Sequence, residues 1–234
     1  MLEVKGLSVN YGPFLALDQV DISVTRGEIV GLVGPNGAGK SSLVKAIGGL
    51  VSISHGDLVF DGRQLHEFPA HRRAGMGLSI VPEGRGLFTR MSIEENLMMG
   101  MYNEAHAPIR AARLERAYSL FPILKDRRSQ LAGTMSGGQQ QMLAVAVGLM
   151  SEPSLIVLDE PSLGLAPIII QDIGNALKRM RADGLTVLLV EQNARLTCDV
   201  ANRIYIMQAG RIRYHDTPDK LFSDPEVVTS YLGG

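Results

Sequence analysis

Three short stretches of this chain carry residue types and spacings that chemistry can use. The first is Gly34-Pro35-Asn36-Gly37-Ala38-Gly39-Lys40-Ser41, followed by Ser42, and it fits the pattern Gly-x4-Gly-Lys-Ser/Thr. Glycines at 34, 37 and 39 let the backbone aim several N–H groups at one anion, and a helix starting there adds its positive end. In such a loop Lys40 reaches the β- and γ-phosphates of a nucleotide, and the Ser41 hydroxyl holds Mg²⁺. The second stretch is Asp159-Glu160, directly after the apolar run 155–158. Two adjacent carboxylates there cannot both be buried without partners. The third is Ser136-Gly137-Gly138 leading into Gln139, Gln140 and Gln141. A small polar cap followed by glycines exposes the N–H groups of a helix start, which suits a phosphate. An ordinary serine cap has the same geometry, so these residues by themselves leave both readings open.

The elements that must hold these stretches follow from periodicity. Residues 2–9 alternate loosely and 20–24 more cleanly, so the first third is β-rich. Residues 28–33 read as a buried strand feeding the glycine loop, with a helix over 40–48. Strand 57–60 ends in a turn at Asp61-Gly62. From Met91 the texture becomes helical. Ser92 and Glu95 form a capping box for a helix carrying Leu97, Met98 and Met101, and a second helix is expected over about 109–124. A helical lobe over roughly 88–150 thus interrupts an α/β body. Beyond it lie strand 155–158, helix 168–181, strand 186–190 and a hairpin of 203–207 with 211–213 turning at Ala209-Gly210. Strand–helix alternation of this kind implies a parallel sheet covered by helices.

Composition closes off several classes. Hydrophobic residues make up 45% and charged ones 20%, which rules against disorder. A net charge of −1 gives no electrostatic footprint for nucleic acid and no polybasic segment for a lipid surface. One cysteine, Cys198, excludes an internal disulfide framework and fits a reducing compartment. The five histidines lie far apart without metal-ligand spacing. The start Met1-Leu2-Glu3-Val4-Lys5 lacks the apolar run of a signal peptide, and no stretch approaches the roughly 20 apolar residues of a membrane span. A cytoplasmic chain is expected, reaching a membrane only through partner proteins.

Together and in this order, the three stretches resemble the signature of ATP-binding cassette (ABC) ATPases. The resemblance implies a P-loop NTPase of class α/β spanning residues 2–234, with a RecA-like core, an antiparallel β lobe and an inserted helical lobe. It implies that Asp159 assists Mg²⁺ and that Glu160 polarises the attacking water as general base. It also implies that Ser136, Gly137, Gly138 and Gln139 complete the ATP site of an opposing subunit, so that ATP joins two cassettes head to tail. Tyr11, followed by Gly12, matches the position whose ring stacks on adenine, although a tyrosine at a strand end also serves plain packing.

Some positions depart from the commonest pattern. Glu83 stands after strand 78–81 where relatives usually carry Gln, and by that position it is expected to contact nucleotide and metal. Gln192 stands where most have His, Leu165 where Asp is common, and Val147 where many carry Arg. Gln192 has no ionisation in the working range, so a neutral positioning role is expected for it, the alternative being a loop cap. The run 81–85 (Val-Pro-Glu-Gly-Arg), the run 161–169 (Pro-Ser-Leu-Gly-Leu-Ala-Pro-Ile-Ile) and the run 190–193 (Val-Glu-Gln-Asn) together resemble the LivF-type ATPases of branched-chain amino acid importers. The likeness covers nearly the whole chain, ending at Tyr231–Gly234. It implies two integral membrane permeases, an extracytoplasmic amino-acid-binding protein and commonly a second, related ATPase, with the chain on the cytoplasmic face of the inner membrane. Urea, short amides or another amino acid are the alternative cargoes. A soluble ABC ATPase acting on DNA or ribosomes would carry long coiled-coil insertions or two cassettes, and neither is present. A degenerate regulator is opposed by intact Lys40, Asp159 and Glu160.

Overall fold

The computed structural model describes residues 1–223, so Tyr231–Gly234 lies outside the described residues. In chain order the elements are β1 (Leu2–Tyr11), β2 (Phe14–Val24), β3 (Ile29–Val33), α1 (Lys40–Gly48), β4 (His55–Phe60), β5 (Arg63–Gln64) and α2 (Ala70–Ala74). Then come β6 (Leu78–Val81), α3 (Ile93–Met99), α4 (Ala107–Leu120), α5 (Pro122–Asp126) and α6 (Gly137–Leu149). The chain closes with β7 (Leu155–Asp159), α7 (Pro167–Ala182), β8 (Thr186–Glu191), α8 (Ala194–Val200), β9 (Arg203–Gln208), β10 (Arg211–Asp216) and α9 (Pro218–Ser223).

Two sheets result. One is an antiparallel sheet in the order β2-β1-β4-β5, and the other is a six-stranded sheet in the order β10-β9-β3-β8-β7-β6. The pairs β9·β3, β3·β8, β8·β7 and β7·β6 are parallel, while β10 closes the edge antiparallel to β9. Strand period sorts the side chains into two cores. Ile29 and Val33 pack with Leu158, Leu189 and the helices of the later chain, whereas Val30 and Leu32 pack with Val157, Leu188, α1 and the antiparallel sheet. The inner strands β3, β7 and β8 are buried throughout, as expected of parallel strands covered on both faces. No helix among the described residues is long and apolar enough to cross a membrane.

Between β6 and β7 the chain forms helices and short turns. The single helix expected over 109–124 is divided, because Pro122 cannot donate to the preceding turn; α4 stops at Leu120 and Pro122 opens α5. Met101 falls beyond the end of α3, although it is buried at 3% exposure. The capping box of Ser92 and Glu95 is present. Strand β2 starts at Phe14, six residues ahead of the alternation that announces it, because its first half pairs with β1 across an irregular register.

Parallel order has one consequence for function. Adjacent strands β3, β8, β7 and β6 all point the same way, so the segments leaving their C-terminal ends converge on one edge of the sheet. Those segments carry the glycine loop, Gln192, Glu160 and Glu83.

Candidate functional site

The glycine loop leaves β3 and runs into α1. It is shaped by close contacts as well as by torsion. A Cβ on Gly34 would run into the Met207 carbonyl, and Gly39 sits at φ 110° with the Ala16 carbonyl only 2.8 Å from where a Cβ would be. Gly39 is also the residue that opens α1, whose positive end faces the loop. Lys40 is buried and folds back over the loop: its Nζ donates to the Gly34 carbonyl at 2.6 Å and the Pro35 carbonyl at 3.2 Å. The same Nζ pairs with Glu160 Oε1 at 3.1 Å.

Glu160 is 8% exposed and held at φ 50°, in the left-handed region, one residue past the end of β7. Its own N–H donates to the Val190 carbonyl at 2.8 Å, which fixes the backbone across to β8. The second carboxylate oxygen accepts the Gln192 N–H at 3.0 Å. Positive φ on a residue other than glycine is a strained conformation, and strain of this sort gathers at functional positions.

Asp159 lies beneath, at 6% exposure. Burial, followed by the charges of Glu160 and Glu83, pushes its carboxyl up to about 6. Its Oδ1 is buried without a hydrogen-bond partner. An orphaned carboxylate oxygen of this kind fits a cation. Among the described residues no three His, Cys, Asp or Glu side chains are grouped to hold a metal alone. A hydroxyl such as Ser41 and the oxygens of a phosphate chain would have to complete the set, and that suits Mg²⁺ bound with a nucleotide.

A cavity of about 420 Å³ opens on the loop and Glu160, and Asp159 is not among its lining residues. Asn36 through Ser42 form its floor, Glu83 and Glu160 supply carboxylates, and Leu163 with Phe14 and Ala16 closes the sides. The structure therefore brings the loop, Glu83 and Glu160 together as the sequence led one to expect. Tyr11 does not line this cavity. It pairs with Phe14 across the Gly12-Pro13 turn, and Phe14, 66% exposed, is the aromatic ring at the cavity wall. The sequence reading missed Phe14. An aromatic pair flanking a Gly-Pro turn was the available signal.

Gln192 contributes its backbone, not its amide. The side chain is exposed and makes no hydrogen bond among the described residues, and the cap of α8 is Asn193, whose Oδ1 accepts the Leu196 N–H at 3.1 Å. Ser136 is the cap of α6, as expected. Its Oγ accepts the Gln139 N–H at 3.3 Å while Gln139 Oε1 accepts the Ser136 N–H at 3.2 Å. Ser136 and Gly137 face solvent and take no part in the cavity.

Residues 17–163 match the sequence profile of the family described as ABC transporter. The chain belongs to the ABC transporter family. It is 45% identical, over the full length of both chains, to the high-affinity branched-chain amino acid transport ATP-binding protein BraG of Pseudomonas aeruginosa. It is 33% identical to the probable branched-chain amino acid transport ATP-binding protein LivF of Archaeoglobus fulgidus, covering 100% of this chain and 99% of that one. Among solved structures, an ATP-binding cassette of an ABC transporter in its ADP conformation superposes with a TM-score of 0.84 at 28% identity, covering 100% of this chain and 99% of the other. The fold is that of the ABC P-loop NTPases, and the chain is an ATPase of this class.

Proposed function

We propose that the chain is the ATP-hydrolysing subunit of an importer for branched-chain amino acids. Glu160 carries the ATPase half of this reading. A strained, nearly buried carboxylate at the mouth of the phosphate loop spans Lys40 and the end of β8. The likeness to BraG supports the cargo.

In this reading ATP lies with its phosphates over Gly34, Pro35, Asn36, Gly37, Ala38, Gly39, Lys40, Ser41 and Ser42, and its base against Phe14, the ring at the cavity wall, in place of Tyr11. Lys40 leaves Glu160 for the β- and γ-phosphates, so the substrate itself releases the carboxylate. Glu160 then accepts a proton from the attacking water as the water oxygen bonds to the γ-phosphorus. The bond to the β–γ bridging oxygen breaks, giving ADP and inorganic phosphate. Ser41, Asp159 and Glu83 would hold Mg²⁺, which when bound neutralises charge on the β- and γ-oxygens. Ser136, Gly137, Gly138 and Gln139 face the γ-phosphate of a second cassette, identical or related.

The whole described chain would act as one ABC domain, with about 88–150 as its helical lobe. Two permeases would dock beside it, and an extracytoplasmic binding protein would join through them, placing the chain on the cytoplasmic face of the membrane. A groove of about 940 Å³ between the loop after β6 and the helices α3 and α6 suits the permeases, because that loop also carries Glu83 into the nucleotide cavity. The reading is tested by reconstituting the chain with its genomic neighbours and measuring ATP-driven uptake of labelled leucine, isoleucine and valine against urea and short amides. Uptake of urea alone would replace the cargo and leave the ATPase intact.

A further inference from the structure

Glu191, the last residue of β8, is a third buried carboxylate beside Asp159 and Glu160, and the scheme above leaves it unused. It is 1% exposed. Its Oε1 accepts the Ser162 N–H at 2.8 Å, and its Oε2 accepts the Ser162 hydroxyl at 2.8 Å and the Asn193 N–H at 3.3 Å. Three donors therefore converge on one side chain. An ionised carboxylate is the side chain best suited to accept all three, because it has four lone-pair sites and no donor.

These bonds mirror those of Glu160. Glu160 stands just past β7 and reaches across to the Gln192 N–H just past β8. Glu191 stands at the end of β8 and reaches back to Ser162, three residues past β7. The two carboxylates thus cross between neighbouring strand ends in opposite directions. What Glu191 pins is the start of the loop 161–166, which follows Glu160 directly and includes Leu163 of the cavity wall. The Leu163 N–H returns to the Glu160 carbonyl at 3.2 Å, and the Leu165 N–H to the Ser162 carbonyl at 3.2 Å, so displacement of Ser162 would be felt at both. Burial pushes the Glu191 carboxyl up to about 7, so holding it ionised here costs stability that an apolar side chain would not.

We propose that Glu191 is a positioning residue for hydrolysis: through Ser162 it holds the loop after β7 so that Glu160 keeps its angle to the phosphate cavity. The inference rests on Glu160 being the general base, and it adds a residue that does not line the nucleotide cavity. A misplaced catalytic group of about 1 Å costs up to roughly 100-fold in rate while leaving the phosphate loop unchanged.

The experiment compares wild type, Glu191→Ala, Glu191→Gln and Ser162→Ala for steady-state kcat and KM, and for ATP affinity by equilibrium dialysis. Glu191→Ala is expected to lower kcat about 10–100-fold with KM and affinity within about threefold. Ser162→Ala keeps the backbone bond and should lose only a few-fold in kcat. Glu191→Gln can still accept the Ser162 N–H and donate to its hydroxyl, but it loses the Asn193 bond, so its kcat should fall between those of wild type and Glu191→Ala. A kcat for Glu191→Ala within twofold of wild type would overturn the proposal. Equal loss of kcat and ATP affinity in both Glu191 variants would also overturn it, by reducing the residue to a structural one. Should Glu191→Ala fail to fold, the other two variants decide: slowed kcat at unchanged KM supports the clamp, and unchanged kcat in both overturns it. A wild type without ATPase would remove the hydrolysis reading along with the clamp, whereas an active wild type with a fully active Glu191→Ala removes the clamp alone.

Discussion

Two regions of this chain, the strand ends around the glycine loop and the start of α6, are built on opposite plans. At the ends of β3, β7 and β8 the charges are buried: Lys40, Asp159, Glu160 and Glu191 are 5%, 6%, 8% and 1% exposed, and several lean on one another. At the start of α6, Ser136 and Gly137 face solvent, and the cap hydrogen bonds are satisfied locally between Ser136 and Gln139. Lys40 and Glu160 pair and Glu191 accepts three donors, but Asp159 keeps one buried oxygen without a partner, which is costly, so the first half has something to gain from phosphates and a cation. The second half satisfies its own cap, with Arg85 beside Gly137 and Ile169 against Gly138, and its Ser136–Gly137 face is left to solvent. The difference teaches that the cavity is built within one copy, whereas the α6 face stands outside it, which is what the proposed closure by a second cassette requires.

The sharpest way to break this contrast is to remove Glu160. A positioned general base contributes about 10²–10⁴-fold in rate, so Glu160→Gln should lose that much phosphate release. It should bind ATP at least as well as wild type, because Lys40 no longer has Glu160 as a partner. With Mg-ATP the variant should then accumulate as a dimer on size-exclusion chromatography. Wild-type hydrolysis would take the base role from Glu160, and weakened ATP binding would contradict the release of Lys40 by substrate.

The exposed half is probed by Ser136→Arg. Its own phosphate loop is untouched, so ATP binding by the single chain should be unchanged, while hydrolysis falls by roughly 100-fold as the bulky cation blocks closure on the partner's γ-phosphate. Mixed with Lys40→Ala, it should recover one composite site made from an intact half of each chain. If no such mixture recovers activity under conditions where dimers form, the shared site loses its support. Loss of ATP binding in Ser136→Arg alone would show that the two halves already meet within one chain.

Much of this plan was legible in the sequence, and the misses have physical causes. The glycine loop, the carboxylates after an apolar run and the serine cap are local patterns, and all three sit on the elements they announced. The start of β2, the division of α4 from α5 and the part played by Phe14 depend on pairing across a hairpin or on one proline within an otherwise helical pattern. Gln192 shows the limit best. Its residue type drew attention to the amide, yet the contact in the structure belongs to its backbone N–H, which every residue except proline possesses. Glu191 was passed over for the same reason in reverse: one more apolar-strand terminus in the sequence, it proves to be a hub only when β7 and β8 are side by side.

The strain in the buried half can be read as stability. Burial first, and then Glu160 and Glu83, raise the Asp159 carboxyl from 3.8 to about 6. The native chain therefore holds this proton more tightly than the unfolded one. Ionising Asp159 costs stability progressively as pH rises from the unfolded value to the native value, and above that window the cost is present in full. Asp159→Asn removes it. Without nucleotide or Mg²⁺, the variant should be more stable at pH 8, by on the order of 1–3 kcal/mol, with the gain vanishing below about pH 4. Denaturant unfolding of both proteins at the two pH values measures this. An Asn variant no more stable at pH 8 would mean that Asp159 is not held at a cost, and the contrast between the two halves would weaken. The same substitution should lower Mg²⁺-dependent hydrolysis, separating stability from function at one residue.

The smallest effect expected is at Gln192, and it refines the contrast by asking how much of the buried half depends on side chains at all. The backbone N–H that Glu160 accepts survives any substitution except proline, so Gln192→Ala leaves that bond in place. What the alanine removes is an exposed amide able to donate to a γ-phosphate or to orient water through its carbonyl. A few-fold to tenfold loss in kcat is expected, the order of one hydrogen bond to a charged group, with KM unchanged. Gln192→His keeps a donor at the same reach and should retain activity, but imidazole titrates near 6.5, so a pH dependence absent from wild type should appear there. Gln192→Pro removes the N–H itself and should therefore be far slower than the alanine variant, provided it folds. The measurement is kcat against pH for wild type and the three variants. Full activity in Gln192→Ala would assign the whole contribution to the backbone and turn attention to Glu83 as the γ-phosphate contact. A 100-fold loss in Gln192→Ala would instead mean that the exposed amide turns inward once nucleotide is bound, and the position would then belong with Lys40 and Glu160 in the working site.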